Sequence, residues 1–208
     1  MSNADHAQIY LATPAAFELS EFNTQLAELL DEYPVVCVRI ALKSDDPVEL
    51  GRAADLLRET CHARDVAIVI DNHYRMVKRH GLDGVHLTDG AKHVRDARKE
   101  LGDDAIVGAY CGDSRHNGMT AAEIGTDYIS FGPLSDDGTL GDGTVAGAEL
   151  FQWWSEMIEV PVIAEGAVTP ETLTAIKDHI DFVTLGNEVW SAQEPMVNME
   201  KFMNLLSK

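Results

Sequence analysis

Residues 66–87 read VAIVIDNHYRMVKRHGLDGVHL. The stretch opens on the apolar run Val66–Ile70, passes through a polar segment in which His73 and His80 fall on a helical pattern, and closes on a second short run, Gly84–Leu87. An unbroken apolar run suits a strand covered on both faces rather than one with a wet side. Strand, helix and strand in this order form the unit that joins two parallel strands through a crossover helix.

The same alternation continues outward in both directions. Strands are expected near Gln8–Ala12, Val35–Leu42, Ala105–Ala109, Tyr128–Phe131, Val162–Ala164 and Phe182–Leu185, which with the two above makes eight. Between them, Phe17–Glu32 places Leu19, Phe22, Leu26, Leu29 and Leu30 at helical spacing, and Leu50–Cys61 repeats the pattern with Ala53, Ala54 and Leu57. Thr169-Pro170-Glu171 reads as an N-cap followed by a first-turn proline. Eight β/α units predict an α/β protein of the (β/α)8 TIM barrel class, with residues 1–208 as one domain. An open doubly wound sheet is the structural alternative, because the same alternation can build it. In a barrel, chemistry belongs to the loops that follow the strands. Among these, Gly132–Gly147 (GPLSDDGTLGDGTVAG) is the one irregular stretch, its glycines and acids favouring a loop over packed structure.

Lys and Arg total 16 against 35 Asp and Glu, a net charge of -19 whose field repels nucleic acid and anionic membrane, so neither is expected as a partner. The N-terminal MSNADHAQIY lacks a basic segment followed by an apolar run, and no stretch approaches the roughly 18 apolar residues that span a bilayer. Cys37, Cys61 and Cys111 follow neither a CxxC nor a zinc spacing. They suggest a reducing compartment, and the cytoplasm is expected. His73, His80 and His93 fall on helical patterns that read as outward-facing, solvated imidazoles, and with His86 they make no metal spacing.

The segment IDNHYRMVKRHGLDGVHL, followed by IVGAY, GTDYISFGPL, VPVIAEGAVTPETL and DFVTLGNEVW, resembles the successive strand-and-loop motifs of thiamine phosphate synthases and their thiazole tautomerase relatives, in order and spacing from about Tyr10 to Trp190. The resemblance implies the barrel fold and a transferase of thiamine biosynthesis. Such an enzyme joins a pyrimidine carried as a pyrophosphate to a thiazole carried as a phosphate, releasing pyrophosphate with help from Mg2+. The expected partner is a small phosphorylated heterocycle; homo-oligomerisation is left open.

The resemblance also places candidate residues. Where the family has Gln-x-Arg-x-Lys for the pyrophosphate, this chain reads Cys37-Val38-Arg39-Ile40-Ala41, which keeps Arg39 alone; Lys43, two residues on, shares its side if the strand continues. The family's Asn-Asp appears inverted as Asp71-Asn72, and its Gly-Gln-Asp as Thr88-Asp89-Gly90. Asp71 and Asp89 are therefore the metal candidates, and Asn72 a substrate contact. A family serine aligns with Tyr110, whose ring would fill part of the pocket. His116, in CGDSRHNG, is a candidate acid–base group. The long loop loses the family's lysine and offers aspartates with Thr139 and Thr144 instead. After strands seven and eight, Glu165-Gly166-Ala167-Val168 and Leu185-Gly186-Asn187-Glu188 replace the family's phosphate-binding turns. The backbone of Gly166, Ala167, Gly186 and Asn187 is expected to serve a phosphate. If Glu165 and Glu188 both reach the pocket, they favour a cationic ligand or acid–base work, with Glu165 as a second candidate base. Two other readings stay open: a proton transfer such as tautomerisation on the same barrel, or a non-catalytic binding or regulatory barrel.

Overall fold

Strands β1 (Gln8–Ala12), β2 (Val35–Ile40), β3 (Ala67–Asp71), β4 (Gly84–Leu87), β5 (Ile106–Tyr110), β6 (Tyr128–Phe131), β7 (Val162–Ala164) and β8 (Phe182–Leu185) pair in parallel in chain order. Strand β8 returns to β1, with Gln8 opposite Phe182 and Leu11 opposite Leu185, so the sheet closes and the open-sheet alternative falls away. The structure, a computed structural model, describes residues 6–136 and 140–207. The helices are α1 (Leu19–Glu32), α2 (Pro47–His62), α3 (Tyr74–His80), α4 (Val94–Leu101), α5 (Arg115–Ile124), α6 (Ala148–Met157), α7 (Pro170–Ile176), α8 (Asn187–Trp190) and α9 (Pro195–Leu206). At α7 the expected start is present: Thr169 caps the N–H of Thr172, Thr172 answers with a reciprocal bond, and Pro170 occupies the first turn.

Period-two alternation divides the strand residues between two environments. Val38, Ile40, Ile68, Ile70, Val85, Leu87, Val107, Ile129 and Phe131 face the helices and join Leu26, Leu29, Leu57 and Trp154 in one continuous core. Residues of the other parity point to the barrel axis. Tyr10, Cys37, Val69, Tyr128 and Ile163 form a second, smaller cluster there, in which the hydroxyls of Tyr10 and Tyr128 share a hydrogen bond of 2.7 Å. The absence of a side chain at Gly108 makes room for this layer, since a Cβ there would overlap the Tyr128 ring. Two residues further along each strand, the same parity delivers Ala12, Arg39, Asp71, Tyr110 and Thr184 to the C-terminal mouth.

Strand β2 ends at Ile40, two residues before the sequence pattern suggested, because the Ala41 N–H leaves the ladder and donates to Thr13 Oγ1 at 3.0 Å. All three cysteines are buried free thiols, and burial pushes each up to about 12. Among the described residues, no helix is long and apolar enough to cross a membrane.

Candidate active site

The axial polar layer opens into a cavity of about 630 Å³ at the C-terminal ends of the strands, where barrel loops carry chemistry. Its floor is organised by Glu165, which follows β7 and is only 2% exposed. Both carboxylate oxygens are engaged: Arg39 Nη1 donates to Oε2 at 2.6 Å and Ser130 Oγ to Oε1 at 2.7 Å. Arg39 Nε stands 3.5 Å from Asp71 Oδ1, an ion-pair contact without hydrogen-bond geometry. His86, fully buried on β4, has Nδ1 2.9 Å from the Tyr128 hydroxyl, which anchors the ring on the tyrosine pair below. Its Nε2 lies 3.6 Å from Glu165 Oε1, beyond hydrogen-bond reach.

Six buried side-chain N or O atoms among the described residues have no hydrogen-bond partner, and four of them belong to residues lining this cavity: Arg39 Nε, Asp71 Oδ1, His86 Nε2 and Thr184 Oγ1. An unanswered buried polar group costs about 1–3 kcal/mol, so a ligand that answers these atoms recovers a cost the protein otherwise bears.

Burial alone would raise the Glu165 pKa, but the Arg39 charge, the His86 ring and the Ser130 hydroxyl outweigh it and hold the carboxyl well below the usual range. For Arg39 burial works downward, and Glu165 and Asp71 overcome it to raise the guanidinium above its ordinary value. Asp71 behaves differently: burial pushes its carboxyl up in spite of Arg39. The lining as a whole sets Arg39 and Lys43 against Asp45, Asp71, Glu165 and Glu188, an acidic balance. On the β7–β8 side, Gly166 (φ 83°) and Ala167 (φ 51°) turn the chain through left-handed backbone. Glu188 of α8 reaches back to accept from the N–H of Val168 at 3.0 Å and of Gly186 at 2.9 Å.

Comparison with known proteins agrees with this architecture. The family described as thiamine monophosphate synthase matches residues 9–189. The chain belongs to the thiamine monophosphate synthase family. A thiamine-phosphate synthase of Rhodospirillum centenum is 40% identical over 185 residues, covering 88% of this chain and 89% of the relative. One of Erythrobacter litoralis is 35% identical over 192 residues, 90% of each chain. In fold, a thiamine phosphate pyrophosphorylase from Pyrococcus furiosus superposes with a TM-score of 0.83 over 96% of this chain and 95% of its own, at 19% identity.

Within this member of the thiamine monophosphate synthase family, the structure brings Arg39, Lys43, Asp71, Asn72, Tyr110, Glu165, Gly166, Gly186 and Asn187 to one cavity wall, with Ala167 in the adjoining turn. Several arrive in a state the sequence pattern did not suggest. Lys43 lies beyond the end of β2, in a loop whose backbone is tied to Ala15, and is exposed at the rim. The Asn72 side chain is spent on Thr88, donating to Oγ1 at 2.8 Å and accepting the Thr88 N–H at 2.9 Å, so it ties two loops together. Tyr110 donates its hydroxyl to the Gly132 carbonyl at 2.7 Å, and burial raises its pKa. Glu165 is no free base, being held ionised by its partners. His116 sits exposed on α5 and lines no part of the cavity. Thr144 gives its N–H to Asp142 Oδ1 at 3.0 Å, and Thr139 lies outside the described residues.

The two metal candidates separate. Asp89 lines a neighbouring hollow of about 540 Å³ and is bound to His93 Nδ1 at 2.6 Å, while Asp71 stays in the main cavity. Among the described residues no three His, Cys, Asp or Glu side chains converge as a metal cage. Asp71 nevertheless fits magnesium, which commonly takes one or two carboxylates and completes its shell with substrate phosphates and water; its Oδ1 is buried and without a hydrogen-bond partner. Asp89 does not share that position.

His86, Ser130 and Thr184 are site residues that motif reading missed. Alternation within GVHL carried the signal for His86, since Val85 and Leu87 face the helices and His86 must then face the axis.

Proposed function

We propose that the chain is a thiamine phosphate synthase, coupling a pyrimidine carried as its pyrophosphate to a thiazole carried as its phosphate. The observation that carries this reading is the family match over residues 9–189, reinforced by 40% identity to a relative bearing that name. In the reaction, the bond between the pyrimidine methylene carbon and the pyrophosphate oxygen breaks with its electron pair on pyrophosphate. The lone pair of the thiazole ring nitrogen then forms the new carbon–nitrogen bond. The site must hold a departing anion and tolerate a transient cation beside it.

Arg39 suits the first task. Glu165 and Asp71 fix its guanidinium so that little side-chain entropy is lost when an anion binds, and its Nε is still without a hydrogen-bond partner. Lys43 adds a second cation at the rim. Magnesium held by Asp71 would supply charge neutralisation for the leaving pyrophosphate. The acidic floor of Glu165 and Asp71 suits the second task, since carboxylates in a low-dielectric pocket favour a cationic pyrimidine methylene. His86 Nε2 and Thr184 Oγ1 offer hydrogen-bonding groups to a heterocycle seated above them. No observation favours the proton-transfer alternative with His116 or Glu165 as base: His116 lies outside the cavity lining, and Glu165 already accepts from Arg39 and Ser130.

The test is direct. Purified protein supplied with the pyrimidine pyrophosphate, the thiazole phosphate and Mg2+ is expected to yield thiamine phosphate and pyrophosphate in equal amounts. Absence of both products contradicts the reading.

A further inference from the structure

Barrels of this class commonly hold a phosphate on backbone N–H groups of the loops after strands seven and eight. Here one donor from each loop, the N–H of Val168 and the N–H of Gly186, is already taken by the same carboxylate, with Glu188 Oε1 at 3.0 Å and Oε2 at 2.9 Å. Val168 is buried, so its N–H has no ready exchange with water. Glu188 itself is half-buried and forms part of the cavity wall beside Gly166, Gly186 and Thr184. A bidentate carboxylate offers the two donors the same charge-assisted bonds that two phosphate oxygens would. Both anions cannot occupy them together, and an incoming phosphate meets a like charge at the cradle.

We infer that Glu188 is a specificity-determining residue for the acceptor: its carboxylate stands in for the acceptor's phosphate and competes with it. The site consequently gives little advantage to a thiazole phosphate ester over the same thiazole bearing a free hydroxyl. This inference rests on the synthase reading and names the acceptor feature that the site discriminates least. Fastening two loops is a purely structural role for the same contact, and it predicts lower stability on mutation with no change in acceptor preference.

The experiment compares wild type with Glu188→Gln, which keeps the side chain's size and removes its charge. The kcat/KM of each is measured for the thiazole phosphate and for the thiazole alcohol. The ratio of ester to alcohol is expected to rise about tenfold or more in the variant, chiefly through KM for the ester. An unchanged ratio overturns the inference, whatever happens to stability. Glu188→Ser, with a side chain too short to bridge both donors, provides the same comparison should the glutamine variant fold poorly. If wild type makes no product from either acceptor, the synthase reading fails on its own, and calorimetric titration with inorganic phosphate decides the inference separately. About tenfold tighter binding to Glu188→Gln than to wild type supports competition at the cradle, and equal affinity overturns it.

Discussion

Along β3, Ile68 and Ile70 face the helices in a fully enclosed apolar layer, while Asp71 turns to the axis at the mouth with a carboxylate oxygen that has no hydrogen-bond partner. The neighbouring strands repeat the contrast. Val38 and Ile40 flank Arg39 on β2, and Val85 and Leu87 flank His86 on β4. The outer face is stabilised by burial, at about 25 cal/mol per Å² of apolar area removed from water. The inner face at the mouth carries charge and unanswered polar atoms that cost stability in the protein alone. A fold that keeps its local rules on one face and breaks them on the other, at one end only, marks where ligands bind.

The largest expected effect comes from breaking the inner pairing. Arg39→Ala leaves Glu165 buried without its cation, and urea unfolding should show a loss of about 3–5 kcal/mol. Coupling activity should fall about a hundredfold or more. The double change Arg39→Met with Glu165→Leu is expected to restore most of the stability and none of the activity. A single variant that costs under about 1 kcal/mol would remove the distinction between the faces.

Truncation on the outer face separates stability from chemistry. Leu57→Ala opens a cavity in the fully buried helix-facing core and should cost about 2–4 kcal/mol, while kcat per folded molecule stays at the wild-type value. A fall in kcat with KM unchanged would show that the outer layer shapes the site after all.

Acid sharpens the contrast with a smaller effect. Because the Glu165 pKa lies below its ordinary value of about 4.3, the unfolded chain binds that proton first as pH falls. Its contribution to stability is full above the ordinary value and lost as pH drops toward the depressed one. Urea midpoints of wild type should therefore decline more steeply below about pH 4.3 than those of Glu165→Gln. Parallel declines would mean that the ion pair with Arg39 does not hold the proton off.

The smallest effect has the opposite sign. Thr184→Val removes a buried hydroxyl that has no partner, and the ligand-free protein should gain up to about 1 kcal/mol while KM for a substrate rises. Stability lost on this change would indicate that the hydroxyl is already satisfied without ligand.

Much of the barrel was legible in the sequence because strand and helix periods repeat eight times; β3 and β5 run one residue further along the chain than their apolar patterns suggested, and β2 ends two residues early where Thr13 intercepts the Ala41 N–H. The positions of Arg39, Asp71 and the Gly166 and Gly186 turns were legible from motif order. Their partners were not. Arg39 and Glu165 lie 126 residues apart, and no local pattern states that two inward-facing charges from β2 and the end of β7 meet across the axis. The return of Glu188 onto two backbone donors and the attachment of Asn72 to Thr88 have the same origin, since periodicity sets the face a residue occupies and leaves open which group on that face it meets.

Titration of inorganic pyrophosphate into wild type and Asp71→Asn by calorimetry, with and without Mg2+, tests most directly whether the inner face is kept for the substrates. Tight binding by wild type that depends on Mg2+, with that dependence lost in Asp71→Asn, is the predicted result. No binding by wild type under either condition, or Mg2+-dependent binding that Asp71→Asn leaves untouched, would contradict it.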